Sequence, residues 1–287
     1  MSNRVRYAVS QSPFFKLSSK KRLAELLKFP CSELFDLAKG TSYNVFLNEK
    51  GREIQHPIGQ LGVIHKKIGK YLGRLALPDY VKSKKGSSYV ANAKEHTGYV
   101  PVIKTDISRF YPSVTFEQIY RLFLAKFKCE PDISWLLAKI CTYRGTHLPT
   151  GSEISGIVAF LANQDMFDDI HTLALQNQCK MTCYVDDIVL SGPKANKRLL
   201  VMIRWLIRLH GLNTKDDKSK TFTANAPKTI TGCIVRGDRV LLPNRRHLAI
   251  SKLQREISVT TDNNTLKSLK ASLRGRLQEA KQILPNR

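Results

Sequence analysis

Asp186 and Asp187 stand side by side between two short apolar runs, Lys180 to Tyr184 and Ile188 to Leu190. Runs of this length read as strands, and Val185-Asp186-Asp187 between them reads as the turn of a hairpin. Adjacent carboxylates repel, so this turn is unfavourable inside a fold unless a cation compensates it. The plainer reading is a polar surface turn, for which Asp is a good residue. A further apolar strand, Val100 to Thr105, delivers Asp106 at its end. Three carboxylates at strand ends make an all-oxygen site suited to Mg²⁺, which takes a few carboxylates plus phosphate and water. Two such ions about 3.5–4 Å apart activate an attacking hydroxyl and stabilise a leaving pyrophosphate.

The charge balance points to a polyanionic partner. Lys and Arg number 47 against 23 Asp and Glu, a formal net charge of +24 in 287 residues. Phosphate relieves self-repulsion on that scale, through counterion release on nucleic acid. Residues 50–85 hold nine Lys and Arg against two acids, and residues 243–287 hold ten against three. Two basic flanks around an acid-bearing centre describe a groove that grips a polyanion and presents metal ions to it. The strongest apolar run, Ile154 to Ala162, is too short for a bilayer, where about 20 residues are needed. With no apolar signal core after Met-Ser-Asn-Arg, the expectation is a cytoplasmic protein without membrane contact. Six scattered cysteines without a CxxC pair argue for reduced thiols and against a zinc site.

Periodicity predicts two short helices over 18–39, a hairpin from Tyr43–Leu47 and Arg52–Gln55, and a basic helix over 58–77. Helices follow over 115–127 and 131–142. Leu148-Pro149-Thr150-Gly151 then turns into one long apolar helix to about Gln176. Lys194 to His210 is a helix stopped by Gly211. Short strands occupy 219–242, and helices 245–257 and 264–283.

Several segments carry a resemblance. "YVDD" at 184–187, followed by "IVLSG", resembles the catalytic hairpin of reverse transcriptases, and "DISRFYPSV" at 106–114 resembles their first aspartate motif. "GREIQHP" (51–57) is similar to the fingers motif with its R-x-I-x-x-P pattern, and "LPTGSEIS" (148–155) to the template-contacting turn. "GLNTKDDKS" (211–219) resembles the later lysine motif. The matches keep the family's order and spacing. "NAKEH" (92–96), "ITG" (230–232) and "LRGRLQEAKQILP" (273–285) are similar to elements of retron reverse transcriptases. The departures are Thr150 where many relatives carry Gln, Glu153 and Gly156 in a stretch often written A-P-T-S-P, and Ile230 for Val.

The resemblance implies an α+β, right-hand polymerase fold, with a small antiparallel palm sheet flanked by helices. Residues 1–40 would form an N-terminal helical extension, 41–99 the fingers, 100–242 the palm and 243–287 the thumb. It implies metal binding by Asp106 and Asp186 with Asp187 in support. Tyr111 would lie under the sugar and exclude a ribose 2′-hydroxyl, unless it is a core aromatic like its neighbour Phe110. Arg52 would hold triphosphate, a bidentate task suited to guanidinium. Lys218 is the motif lysine near the pyrophosphate, with Lys215 and Lys220 close enough to leave the register open. Thr150 and Gly151 would approach the templating pair or nucleotide. Asn92 and His96 would touch RNA or order a small helix. Arg245, Arg246, Lys252, Lys270, Arg274 and Arg276 would line a duplex or stem-loop.

The implied reaction is RNA-templated addition of dNTPs with two Mg²⁺, on a cognate noncoding RNA that serves as template and primer. The implied product is a branched RNA–DNA hybrid (msDNA), made within an antiphage defence retron beside an effector protein. A group II intron-like or diversity-generating reverse transcriptase remains open. So does a protein that chiefly serves as an RNA/DNA-binding scaffold restraining an effector. Oligomeric state is not legible.

Overall fold

Ser19 accepts a hydrogen bond from the Arg22 amide and opens α1 (Lys20–Leu27), which ends where Lys28 turns left-handed at φ +55°. Pro30 breaks the chain before α2 (Cys31–Leu37). The computed structural model describes residues 6–283. Residues 1–5 of the expected extension and 284–285 of the 273–285 tail therefore lie outside the described residues. The chain forms two compact units, each drawn from separate stretches of sequence.

The first unit takes residues up to Pro78 together with Ile107–Ile170 and Trp205–Thr214. After α2 it contains an antiparallel hairpin, β1 (Tyr43–Leu47) and β2 (Glu53–Pro57), in the register Tyr43↔Pro57 to Leu47↔Glu53. Its turn is built by Asn48, whose side-chain oxygen accepts from the Lys50 and Arg52 amides, and by Gly51 at φ +67°. Helix α3 (Gly59–Leu72) buries Leu61, Ile64, His65, Ile68 and Leu72, the 3.6-residue stripe expected of its sequence. Phe14 sits edge-on to Tyr71, Phe123 and Phe127 at the heart of this unit.

The second unit takes Asp79–Asp106, His171–Arg204 and the chain from Lys215 onward. It opens with α4 (Tyr89–Lys94), a helix the periodicity did not predict, capped by Ser88 accepting from the Ala91 amide. Strand β3 (Val102–Asp106) follows. The chain then supplies α5 (Phe110–Ser113), α6 (Phe116–Arg121) and α7 (Pro131–Cys141) to the first unit. The expected helix over 115–127 is α6 continued by a π-helical turn at Leu122–Lys126.

The expected long helix over 154–176 is two helices, α8 (Ser155–Ala162) and α9 (Gln164–Gln176). The break falls at Asn163, whose side-chain amide donates to the Ala159 carbonyl at 2.9 Å. A side-chain amide competing for a backbone carbonyl is what makes Asn a poor interior helix residue.

Strands β4 (Lys180–Tyr184) and β5 (Asp187–Ser191) form the predicted hairpin, and α10 (Lys197–Leu209) ends before Gly211 at φ +78°. With β6 (Lys220–Phe222), the sheet order is β4-β5-β3-β6, and its pairings are antiparallel. A second sheet holds β7 (Lys228–Ile230), β8 (Cys233–Arg236) and β9 (Arg239–Leu241) in sequence order. The last helices are α11 (Asn244–Val259) and α12 (Asn263–Ile283). Val90, Ala93, Val102, Val189, Ile230, Val235 and Ile283 share one buried cluster. The six cysteines are free, and among the described residues no helix is long and apolar enough to cross a membrane.

One polar pin fastens α4 to the sheet. His96 is fully buried, with Nδ1 at 2.7 Å from Ser191 Oγ and Nε2 at 2.7 Å from Thr182 Oγ1. Burial first, then the Lys180 and Lys82 charges, lower its pKa from 6.5 to about 3, against the opposing pull of Glu95. Below pH 6.5 the unfolded chain therefore gains a proton that the native chain refuses until about pH 3. Stability thus falls as pH drops through that window, by about 1.4 kcal/mol per unit for each such group. His96→Gln should flatten the pH dependence of the denaturation midpoint between about pH 6.5 and 4.5 by one proton's worth. An unchanged slope would mean that the native state already protonates His96.

Candidate active site

The acids reach one place through strand register. In the antiparallel pairing of β3 with β5, Asp106 lies opposite Asp187, and Tyr184↔Asp187 closes the β4–β5 hairpin. That leaves Val185 and Asp186 as a two-residue loop, with Val185 at φ +60°. A positive φ at the first loop position matches the twist of the flanking strands, a place that favours glycine. A β-branched residue there is a strained backbone held by its surroundings.

Like charges opposite one another across a strand pair destabilise it, and burial adds to that. Burial, followed by the Asp106 charge, raises the Asp186 pKa above 3.8. Burial likewise lifts Asp187 to about 6, with Asp106 and Asp186 adding to the rise and Lys104 opposing it. Beneath them the wholly buried Cys183 thiol is pushed well above its usual range by burial and by both hairpin carboxylates.

Asp106 itself is 7% exposed and is held by two ammonium groups. Lys218 Nζ donates to its Oδ2 at 2.8 Å, and Lys215 Nζ lies 3.3 Å from its Oδ1. Burial pulls the Lys218 pKa down, but the hydrogen bond to Asp106 and the charges of Asp106 and Asp186 outweigh it, and the net shift is upward. The 215–219 turn is docked on β3 by the Lys215 amide donating to the Asp106 carbonyl at 2.9 Å and by Ser219 Oγ at 2.8 Å from Thr105 Oγ1. Of the three lysines left open by the motif, Lys215 and Lys218 meet Asp106, whereas Lys220 lies in β6 opposite Lys104.

Among the described residues, no three His, Cys, Asp or Glu side chains are gathered closely enough to hold a metal ion unaided. Mg²⁺ does not require such a cage, because one or two carboxylates plus substrate phosphates and water suffice. Asp106 Oδ1 is buried and makes no hydrogen bond, its one near cation being Lys215 Nζ at 3.3 Å, and it belongs to a hard, all-oxygen donor set whose members repel one another. These residues fit a divalent cation.

The remaining expected residues fall as follows. Arg52 is exposed at the end of the β1–β2 turn, its amide tied to Asn48. Phe110 and Tyr111 lie in α5, entered through Arg109 at φ +47°. Phe110 is buried edge-on to Phe167, and Tyr111, half-buried, stacks on Phe110 with ring centroids 6.0 Å apart. A Cβ on Gly156 would come within 3.6 Å of the Tyr111 hydroxyl. Thr150 and Gly151 lie against β2, where the Thr150 amide donates to Gln55 Oε1 at 3.1 Å.

Asn92 and His96 are both wholly buried. Asn92 Nδ2 donates to Thr231 Oγ1 at 3.4 Å, and that hydroxyl donates to the Tyr89 carbonyl at 2.8 Å. Thr231 and Gly232, both at positive φ, form the β7–β8 turn, so the "NAKEH" and "ITG" segments pack on each other. Of the two roles read from sequence, ordering the helix is the one this placement serves; the expectation that these side chains meet RNA is corrected, since burial leaves them no surface to offer. Arg246 also differs from expectation. Its guanidinium binds Glu279 at 2.8 Å and the Tyr89 hydroxyl at 3.1 Å, joining α11 and α12 to α4. Arg245, Lys252, Lys270, Arg274 and Arg276 are exposed. Lys104, which faces Asp187 electrostatically, carried no motif signal and escaped the sequence reading.

The family described as reverse transcriptase (RNA-dependent DNA polymerase) matches residues 16–256. The retron Se72 reverse transcriptase of Salmonella heidelberg (strain 579083-10) is 24% identical over 217 residues, covering 70% of this chain and 56% of the relative. The retron Ec86 reverse transcriptase of Escherichia coli is 25% identical over 175 residues, covering 60% and 54%. The chain thus spans about half the length of the curated relatives it matches. A solved structure of telomerase from Candida albicans, in complex with a fragment of telomeric RNA, aligns with TM-score 0.49 and 11% identity over 85% of this chain and 56% of that one.

Burial and two neighbouring charges hold Asp187 protonated to higher pH than in the unfolded chain, so its carboxylate detracts from stability as pH rises from 3.8 past about 6. In cation-free buffer at pH 7, Asp187→Asn should raise the thermal midpoint by a few degrees, and a divalent cation should raise the midpoint of the unsubstituted chain more than that of the variant. A lower midpoint for the variant would show that the carboxylate is already compensated by protein groups.

Proposed function

The chain belongs to the reverse transcriptase (RNA-dependent DNA polymerase) family, and we propose that it copies a cognate noncoding RNA into DNA as the polymerase of a retron. The observation that carries this reading is the register that sets Asp106 opposite Asp187 beside Asp186, with Lys215 and Lys218 on Asp106. The right-hand fold of the family contains such a small antiparallel sheet, and the relatives named above are retron reverse transcriptases.

In this reading residues 41–99 serve as fingers, 100–242 as palm and 243–287 as thumb, after a helical extension over 1–40. Asp106 and Asp186 hold Mg²⁺, with Asp187 supporting them. When bound, the cations supply Lewis acidity to the primer hydroxyl and to the phosphates. The protein's own groups do the rest. Lys218, charged through its bond to Asp106, is positioned to shift to an arriving polyphosphate and to neutralise the pyrophosphate as it leaves. Lys215 stays paired with Asp106 when Lys218 moves.

Arg52 binds triphosphate with its exposed guanidinium, and the ring of Tyr111 excludes a ribose 2′-hydroxyl. Arg245, Lys252, Lys270, Arg274 and Arg276 supply exposed positive charge for the nucleic-acid backbone. The finer parts of the proposal are a branched RNA–DNA product and use in antiphage defence with an effector protein. They extend the retron resemblance of the relatives' names to this chain.

Two measurements test the reading. Asp186→Asn combined with Asp187→Asn should abolish dNTP incorporation on the RNA that copurifies with the chain, while RNA affinity stays within about twofold. Continued extension by that double variant would overturn the metal assignment. Tyr111→Val should admit ribonucleotides, lowering dNTP-over-rNTP discrimination by tenfold or more, about 1.4 kcal/mol. Unaltered discrimination would make Tyr111 a packing residue beside Phe110.

A further inference from the structure

The turn from Leu148 to Ser155 is gripped from two sides by buried polar side chains outside every motif role assigned above. On one side is β2. Gln55, 4% exposed, accepts from the Thr150 amide at 3.1 Å and donates through Nε2 to Glu53 at 2.7 Å. His56 Nδ1 lies 3.2 Å from the Gly151 carbonyl, which only accepts, so that nitrogen carries the proton. Gly151 is seated so closely that an added Cβ would meet Ile54 Cγ2 at 2.8 Å and the Gln55 carbonyl at 2.9 Å.

On the other side is α3. His65, 1% exposed, has Nε2 at 2.8 Å from the Ile140 carbonyl and Nδ1 at 2.7 Å from Ser152 Oγ. The carbonyl only accepts, so Nε2 carries the proton and a neutral ring offers Nδ1 as a lone pair. The Ser152 hydroxyl must therefore donate to His65, while its own lone pair accepts from the Ile154 amide at 3.4 Å. Burial holds the ring neutral by lowering its pKa to about 4, so this polarity does not change near neutral pH.

We propose that Gln55 and His65 are positioning residues that clamp the Leu148–Ser155 turn from both sides and hold the Thr150 and Gly151 backbone in the one conformation that receives the incoming nucleotide. The clamp matters most where Thr150 stands in place of the family's usual Gln, because a shorter side chain leaves more of the contact to backbone geometry. The inference rests on the polymerase reading for its consequence, and on unit-internal hydrogen bonds for its existence.

The two ring nitrogens allow a test that plain loss of packing would not mimic. Asn at 65 places its side-chain oxygen near the Nδ1 position and keeps the Ser152 link, whereas Gln places its amide near Nε2 and keeps only the Ile140 link. Ser152→Ala, His65→Gln and Gln55→Met should each raise KM for dNTP about three- to tenfold, the size of one hydrogen bond, with kcat within about threefold. His65→Asn should stay within about twofold of the unsubstituted chain. In parallel, hydrogen exchange of the free chain should speed up at amides 150–153 in the first three variants and not in His65→Asn.

Exchange needs no activity. If the unsubstituted chain fails to incorporate dNTPs, the polymerase reading fails while exchange still decides the clamp. Unchanged exchange in Ser152→Ala and His65→Gln overturns the clamp. Faster exchange with unaltered KM overturns its role in nucleotide binding. A KM that rises equally in all four variants, in step with falling thermal midpoints, reduces both residues to general packing.

Discussion

The pairing of β3 with β5 sets Asp106 against Asp187, and the second unit is organised around that unfavourable apposition. Two carboxylates in opposed positions, with a third in the adjoining loop, oppose folding wherever water is excluded. The apolar interior of both strands drives the pairing all the same, since Val102, Ile103, Ile188, Val189 and Leu190 are buried. Consecutive buried residues mean that both faces of these strands are covered. A one-residue slip would therefore exchange the side chains packed on each face and disrupt the packing that keeps the acids together. Lys215 and Lys218 arrive on the 215–219 turn and offset part of the repulsion at Asp106. What remains is an Asp106 Oδ1 with an ion pair but no hydrogen bond and an Asp187 held above its usual carboxylate range, an arrangement that a divalent cation would relieve.

A second theme is the use of neutral buried histidine as a pin. His96 joins α4 to β4 and β5 in one unit, and His65 joins α3, α7 and the 148–155 turn in the other. In each case both ring nitrogens are satisfied by oxygen, which is what makes burial of so polar a ring tolerable. At His65 the Ile140 carbonyl, which only accepts, also fixes the hydrogen-bond direction through the ring to Ser152. Arg246 with Glu279 and Tyr89 does comparable work with charges, tying the last two helices to α4. A basic chain thus spends some of its cations on its own framework and leaves others, such as Arg274 and Arg276, on the surface.

Much of the architecture was legible residue by residue. The β4–β5 hairpin, β3 leading to Asp106, the β1–β2 hairpin around Asn48–Gly51 and the amphipathic stripe of α3 follow from period and turn chemistry. The misses have local causes. Asn163 splits an apolar stretch that periodicity reads as continuous, and a π-helical turn extends α6. Short α4 and α5 are held by tertiary partners rather than by helix propensity, which is weak at such lengths.

The amino-acid sequence by itself determined which acids stand at strand ends and in the hairpin turn, because strand alternation, apolar runs and turn residues act over a few neighbouring positions. Tertiary structure alone decided which lysines meet Asp106, that Asn92, His96 and Arg246 are turned inward, and that Gln55 and His65 grip the 148–155 turn. The partners in those bonds lie far apart along the chain, 112 residues for Lys218 and Asp106, 95 for His96 and Ser191 and 87 for His65 and Ser152. No local pattern encodes such pairings, since burial and hydrogen-bond satisfaction are imposed only once the packed elements exclude water.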